Sequence, residues 1–171
     1  MAMPRKLKHM NLFNEGESYM GVASTVTLPK LTRKLEAWRG AGMDGPAKAD
    51  LGMGDDGIQL EWTLGGLDLT VIRQYGAVSA NGIGLRFAGS YQQDDTGDTV
   101  PVEVVVRGRH EEIDMGEAKP GEDTEHNITT ACTYYKLTVD GEELIEIDTM
   151  AMIFVVDGKD LMEEHRRNIG L

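Results

Sequence analysis

The feature that most constrains this chain is period-two alternation of apolar and polar residues. Ile58, Leu60, Trp62 and Leu64 alternate with Gln59, Glu61 and Thr63. Ile83, Leu85, Phe87, Gly89 and Tyr91 alternate with Gly84, Arg86, Ala88 and Ser90, and Val100, Val102, Val104 and Val106 recur at the same spacing. Successive side chains of a strand point to opposite faces, so each run predicts a strand buried on one side. Ile128 to Val139 is rich in Thr and Tyr, as strands are. It ends at Asp140-Gly141, the favoured two-residue type I′ hairpin turn, and Glu142 to Asp148 supplies the return strand. Met150 to Val156 reads as a further strand, and Tyr19 to Thr27 and Leu31 to Arg39 as two more, broken at Pro29.

Helical spacing is confined to two places. Leu67, Val71, Tyr75 and Val78 form one stripe, with Asp68 placed to cap its start and Asn81-Gly82 to stop it. Asp160 to Arg167 predicts a short terminal helix. About eight strands and one clear helix predict a mainly β fold: an antiparallel sandwich or barrel with a packed helix, in a single domain over residues 1–171.

Two connections stand out. Gly40 to Gly57 holds six glycines and few large apolar residues, which predicts a long loop with a function or a partner. Gly116 to Glu125 is shorter and acidic.

Charge narrows the function classes. Lys and Arg number 17, Asp and Glu 29, and the net charge is −12. Tight nucleic-acid binding needs cations to neutralise phosphates, and an anionic membrane surface needs them too, so neither partner is expected. The longest uninterrupted apolar run, Met150 to Val156, is seven residues, against about 20 for a membrane helix. No membrane anchoring and no secretory signal are expected. The single cysteine, Cys132, excludes an intrachain disulfide. Together these features predict a protein made in the cytoplasm.

Motifs for chemistry are missing. Asp55-Asp56 and the acidic turn Asp94 to Asp98 lack the ligand order of a calcium loop and read as solvated turns. His110-Glu111-Glu112-Ile113-Asp114 has Asp where a zincin motif has its second His. There is no nucleophile elbow, Walker loop or dinucleotide fingerprint. Neither catalytic, cofactor nor metal residues are expected. Two other classes stay open on the residues alone. One is a carboxylate hydrolase on a sandwich; the other is a monomeric barrel around an apolar ligand. Elimination leads no further than a self-assembling β protein, because unblocked strand edges are adhesive and rings of identical chains satisfy them.

Several strings carry a more specific resemblance. They are Asn11-Leu12-Phe13, Leu28-Pro29-Lys30-Leu31, Gly40-Ala41-Gly42-Met43-Asp44 and Arg86-Phe87-Ala88-Gly89-Ser90-Tyr91. Glu112-Ile113-Asp114, Lys119-Pro120-Gly121-Glu122, Tyr134-Tyr135-Lys136-Leu137, Glu146-Ile147-Asp148 and Asn168-Ile169-Gly170-Leu171 follow in order. In that order and spacing the chain resembles the major tail tube proteins of contractile-tailed bacteriophages and R-type bacteriocins.

The resemblance implies two packed antiparallel sheets with one flanking helix and a short C-terminal helix. It implies hexameric rings stacked into a hollow tube that pierces the bacterial envelope and, in a phage, conducts double-stranded DNA. The implied partners are the tail sheath protein, the baseplate and the tape measure protein, and assembly takes place in the host cytoplasm. The alternative within the resemblance is the tube of a DNA-free R-type bacteriocin. Six copies at −12 each give −72 per ring, a wall that repels phosphate and lets DNA slide. The lumen is therefore expected to be net negative, with Gln59, Glu61 and Thr63 as candidates. The segment Gly40 to Gly57, with Gly40, Gly42, Met43, Asp44 and Leu51 its marked residues, is expected to reach a neighbouring subunit.

Overall fold

The computed structural model describes all 171 residues. The chain is mainly β, with twelve strands and two short helices. Strands β1 (Arg5–Asn14), β2 (Glu17–Ser18) and β3 (Ala23–Thr27) precede a hairpin of β4 (Arg33–Trp38) and β5 (Ala47–Met53). Then come β6 (Ile58–Leu64), helix α1 (Leu69–Gln74), β7 (Ile83–Gln93), β8 (Thr99–Asp114) and β9 (His126–Val139). The chain closes with β10 (Glu142–Asp148), β11 (Ile153–Val156), β12 (Lys159–Asp160) and helix α2 (Glu163–Asn168).

Two antiparallel sheets result. The larger has ten strands along the path β12-β11-β10-β9-β8-β7-β1-β2, with β6 and β3 branching from β9; the smaller is β4-β5 alone. The branch point explains the shape. The long strand β9 carries β8 on one side, and on the other β6 along His126–Cys132 and β10 along Tyr134–Val139. Register shifts in the β8–β9 ladder, at Arg107/Gly108 and His110/Glu112, mark bulges, which bend strands and raise their twist. The curl brings Tyr19, beyond β2, onto Trp62 of β6, with ring centroids 5.8 Å apart. The sheet nonetheless stays open and no barrel closes.

The core follows the alternation. Ile58, Leu60, Trp62 and Leu64 are all buried, as are Ile83, Leu85 and Phe87, and they meet Leu12, Val104, Val106, Ile128 and Ile147. The Asp140-Gly141 turn has φ of 52° and 79°, the pair of positive values a type I′ turn needs. Glu15-Gly16 and Asp157-Gly158 repeat it.

Four expectations need correction. Gly40 to Gly57 is not a structureless loop, because Ala47–Met53 is β5, paired with β4 from Arg33↔Met53 to Trp38↔Ala47. The helix spans only Leu69–Gln74, and its stripe does not face the core: Val71 is buried, but Leu67, Tyr75 and Val78 are exposed. Asp68 does cap it, accepting from Thr70 N at 2.8 Å. Tyr19 to Val22 forms a turn, and only Ala23–Thr27 is strand. Met150 to Met152 is likewise turn, since the Asp148 carboxylate takes the amides of Met150 and Ala151 at 3.1 Å each.

Candidate assembly surfaces

A polar chain of hydrogen bonds pins α1 to the sheet. Asn14 Nδ2 donates to Gln74 Oε1 at 2.8 Å, and Gln74 Nε2 donates back to Asn14 Oδ1 at 2.8 Å. Gln74 Oε1 also meets His110 Nε2 at 3.0 Å, while His110 Nδ1 meets Thr130 Oγ1 at 3.0 Å. Trp62 Nε1 donates to that same hydroxyl at 3.2 Å. Gln74 Oε1 is an acceptor, so Nε2 carries the imidazole proton and Nδ1 accepts from Thr130. Every member is satisfied with His110 neutral, and burial pushes its pKa down to about 4. His110 thus serves packing, with both ring nitrogens engaged inside the protein. Cys132 is comparably inert: burial pushes its thiol up to about 12.

The outward residues of β6 form a polar face. Gln59 Nε2 donates to Glu111 Oε2 at 3.0 Å, Thr63 Oγ1 donates to Asn127 Oδ1 at 2.8 Å, and Glu61 is exposed. Register sets Thr129 beside Glu61 on β9, and Thr27 beside it on β3. The structure therefore brings Gln59, Glu61 and Thr63 together on one face.

A second polar face, not anticipated from the sequence, lies outward on β7 to β10. There the charges are paired among themselves. Arg86 lies 3.3 Å from Glu103, Lys136 lies 3.3 Å from Glu143, and Arg107 stacks 4.6 Å over Tyr134. Alternate charged residues at 86, 103, 107 and 136 were its signal, legible only once the register was known. Along β1, β7 and β8 the surface forms an open groove, lined by His9, Asn11, Ser90 and Glu103 together with Met10, Pro101 and Val102. It is not the closed apolar chamber that a ligand-binding barrel requires.

The β4–β5 hairpin is an arm. All six residues of β4 and six of the seven of β5 are exposed. Ion pairs Arg33–Asp50 at 2.9 Å and Lys34–Asp55 at 3.0 Å hold it internally. Exposed pairs of this kind contribute little, and an isolated two-stranded hairpin is marginal in water. At the tip, Gly42 takes φ 83°, the Met43 sulfur accepts from Gly40 N at 3.1 Å, and Asp44 is exposed. Met43 is thus turned into the tip, whereas Leu51 stays exposed. The Trp38 ring packs within 3.5 Å of where a Gly40 Cβ would sit, yet it remains 65% exposed. Trp38 is the large arm residue that sequence reasoning passed over; a Trp in a strand with no alternation was its one signal.

The outward surfaces of this fold thus include polar faces, an exposed arm and open strand edges. Residues 4–170 match the family model for phage tail tube protein FII. The tail tube protein of Escherichia phage P2 is 62% identical over 172 aligned positions, covering the whole of both chains. The major tail tube protein of Serratia phage KSP20 is 41% identical over 161 positions, 94% of this chain and 92% of that one. The match runs through the β1 strand, the arm, the sheet and α2 alike, and the chain belongs to the phage tail tube protein FII family: it is a structural component of the virion tail, not an enzyme.

Proposed function

We propose that residues 1–171 act as one unit, that six copies form a ring, and that rings stack into the inner tube of a contractile tail. In this reading the tube conducts double-stranded DNA and pierces the envelope. Sheath, baseplate and tape measure proteins are its neighbours, and it is assembled in the host cytoplasm before incorporation into the virion. The same contacts would serve a DNA-free bacteriocin particle; both relatives described above are phage proteins, which favours the phage tail.

The observation that carries the reading is the arm. About twenty residues are ordered as a ribbon that buries almost nothing against its own chain. Ordering each residue costs roughly 1–2 kcal/mol, so a surface outside the subunit is needed to offset it, as in folding on binding. The face of Gln59, Glu61 and Thr63 is the candidate lumen wall. Its exposed Glu61 repels phosphate, in keeping with a DNA conduit.

The test replaces residues 34–52 by a short Gly-Ser linker. Loop length changes closure entropy only slightly, and the excised strands lie outside the core. The shortened chain is expected to fold with the parent thermal midpoint but to form no stacked rings by electron microscopy. Native mass spectrometry of the parent is expected to show a six-copy repeat. Full-length tubes from the shortened chain, or a three- or four-copy repeat, would refute the reading.

A further inference from the structure

Two apolar surfaces of this chain lack any cover of their own. One is a face of the arm. Register sets Trp38 opposite Ala47 and Glu36 opposite Ala49, so alternation gathers Trp38, Ala47, Ala49 and Leu51 on one side of the ribbon, with Glu36 the one charge among them. The other is the outward side of α1. Val71 is buried, while Leu69, Ile72 and Tyr75 are exposed, flanked by exposed Leu67 and Val78. Scattered apolar residues need no explanation, but contiguous ones mark contact surfaces.

Charge distinguishes these surfaces from the rest of the molecule. Copies carrying −12 repel one another. The segment Lys30 to Arg39 runs the other way, with Lys30, Arg33, Lys34 and Arg39 against Glu36 alone. Arg33 and Lys34 are paired within the arm; Lys30, Arg39 and Lys48 are in no ion pair. Around α1 the border carries three carboxylates, with Arg109, whose guanidinium donates to Val78 O at 3.4 Å, as a cation beside them. Asp68 caps the helix, Glu17 and Asp68 both act on the Tyr19 hydroxyl, and Glu15 takes the Gly84 amide at 2.6 Å beside the Asn14–Gln74 pair. Arg73 is the one cation on the helix itself.

We propose that the apolar face of the arm lies on α1 of a second copy of this chain, with Trp38 and Leu51 against Ile72 and Tyr75. Lys30 and Arg39, which flank β4, then lie near those carboxylates, while Lys48, opposite Ala37, is on the other side of the ribbon. The inference rests on reading the arm as an assembly element, and adds the surface that receives it. Seven residues of β5 span about 20 Å, enough to reach beyond the subunit. Each copy gives one arm and receives one, so the contact is heterologous and propagates. Individual contacts can be small, because repetition around a ring multiplies them.

The test uses full-length chains with Trp38→Glu in the arm or Tyr75→Glu in the helix. Both side chains are exposed, and both variants are expected to melt as the parent does. Each alone is expected to stop short of tubes. Mixed one to one, the intact arm of Tyr75→Glu meets the intact helix of Trp38→Glu, so assembly is expected to resume and stop after one such contact, as two-layer particles. An independent measurement mixes Leu51→Cys with Ile72→Cys; oxidised assemblies are expected to yield disulfide dimers that neither variant yields alone.

Tubes from Tyr75→Glu, together with none from Trp38→Glu, would overturn α1 as the receiver while leaving the arm reading intact. Tubes from both would overturn both. Tubes of Tyr75→Glu that form but fail to take up another tail protein would assign α1 to that protein and overturn the proposal. A mixture that fails to resume assembly, or yields no cross-link, would also overturn it.

Discussion

Acid is expected to weaken this fold in part by protonating one buried side chain, His110. In the folded chain it is neutral, its two nitrogens spent on Gln74 and Thr130, and no carboxylate bonds to its ring. Its pKa falls from 6.5 to about 4 through loss of solvation on burial. A group with a depressed folded pKa binds its proton more readily in the unfolded chain. Stability is therefore unaffected above pH 6.5, and lost as pH falls from 6.5 towards 4. At about 1.36 kcal/mol per unit, the full loss is roughly 3 kcal/mol, and about 2.5 kcal/mol of it is reached by pH 4.5. The assay is urea unfolding of dilute monomer at pH 7.5 and pH 4.5, for the parent and for His110→Gln. Gln does not titrate and can still donate to Gln74. Other acid-sensitive groups, such as Asp50 held low by the Gly52 amide and Asp160 held low by Arg166, are present in both proteins and cancel. The parent is expected to lose about 2.5 kcal/mol more than the variant over that interval. Equal losses would refute the buried neutral imidazole, and with it the network that holds α1 to the sheet.

Two further perturbations test the frame. Gly108→Ala would put a Cβ 2.0 Å from the Ala131 carbonyl oxygen, a backbone clash at the β8–β9 bulge that no rotamer relieves; Gly84→Ala, one rung away in the same sheet, meets nothing closer than 3.8 Å. The first is expected to lower stability by about 3 kcal/mol or more and the second by under about 1 kcal/mol, read as thermal midpoints; equal midpoints would contradict the bulge geometry. Asp68→Ala removes the cap that holds Thr70 N and is expected to cost about 1 kcal/mol in denaturant unfolding, with a loss of helical signal disproportionate to a six-residue helix counting against that assignment.

What the sequence determined by itself is local. The alternation over Ile58–Leu64 and Ile83–Phe87 names the buried face of each strand, because burial of one face of a pleated strand leaves a period of two. The Asp140-Gly141 hairpin follows from two residues that tolerate positive φ. The ordered strings of the resemblance were enough to place the family, which the comparisons then established. Other features belong to tertiary structure. Half of the arm was legible: Leu31 to Arg39 read as a strand and contains β4, whereas β5, exposed on both faces and set among glycines, read as a loop. The helical stripe did not hold, because the helix covers only Leu69–Gln74: Val71 is buried, while Leu67, Tyr75 and Val78 lie outside it and are exposed. His110 looked like a fragment of a metal motif until the fold set Gln74 and Thr130 against its two nitrogens. Pairing partners distant in sequence decide whether a polar residue is a ligand, a surface group or a core member, and only the fold chooses those partners.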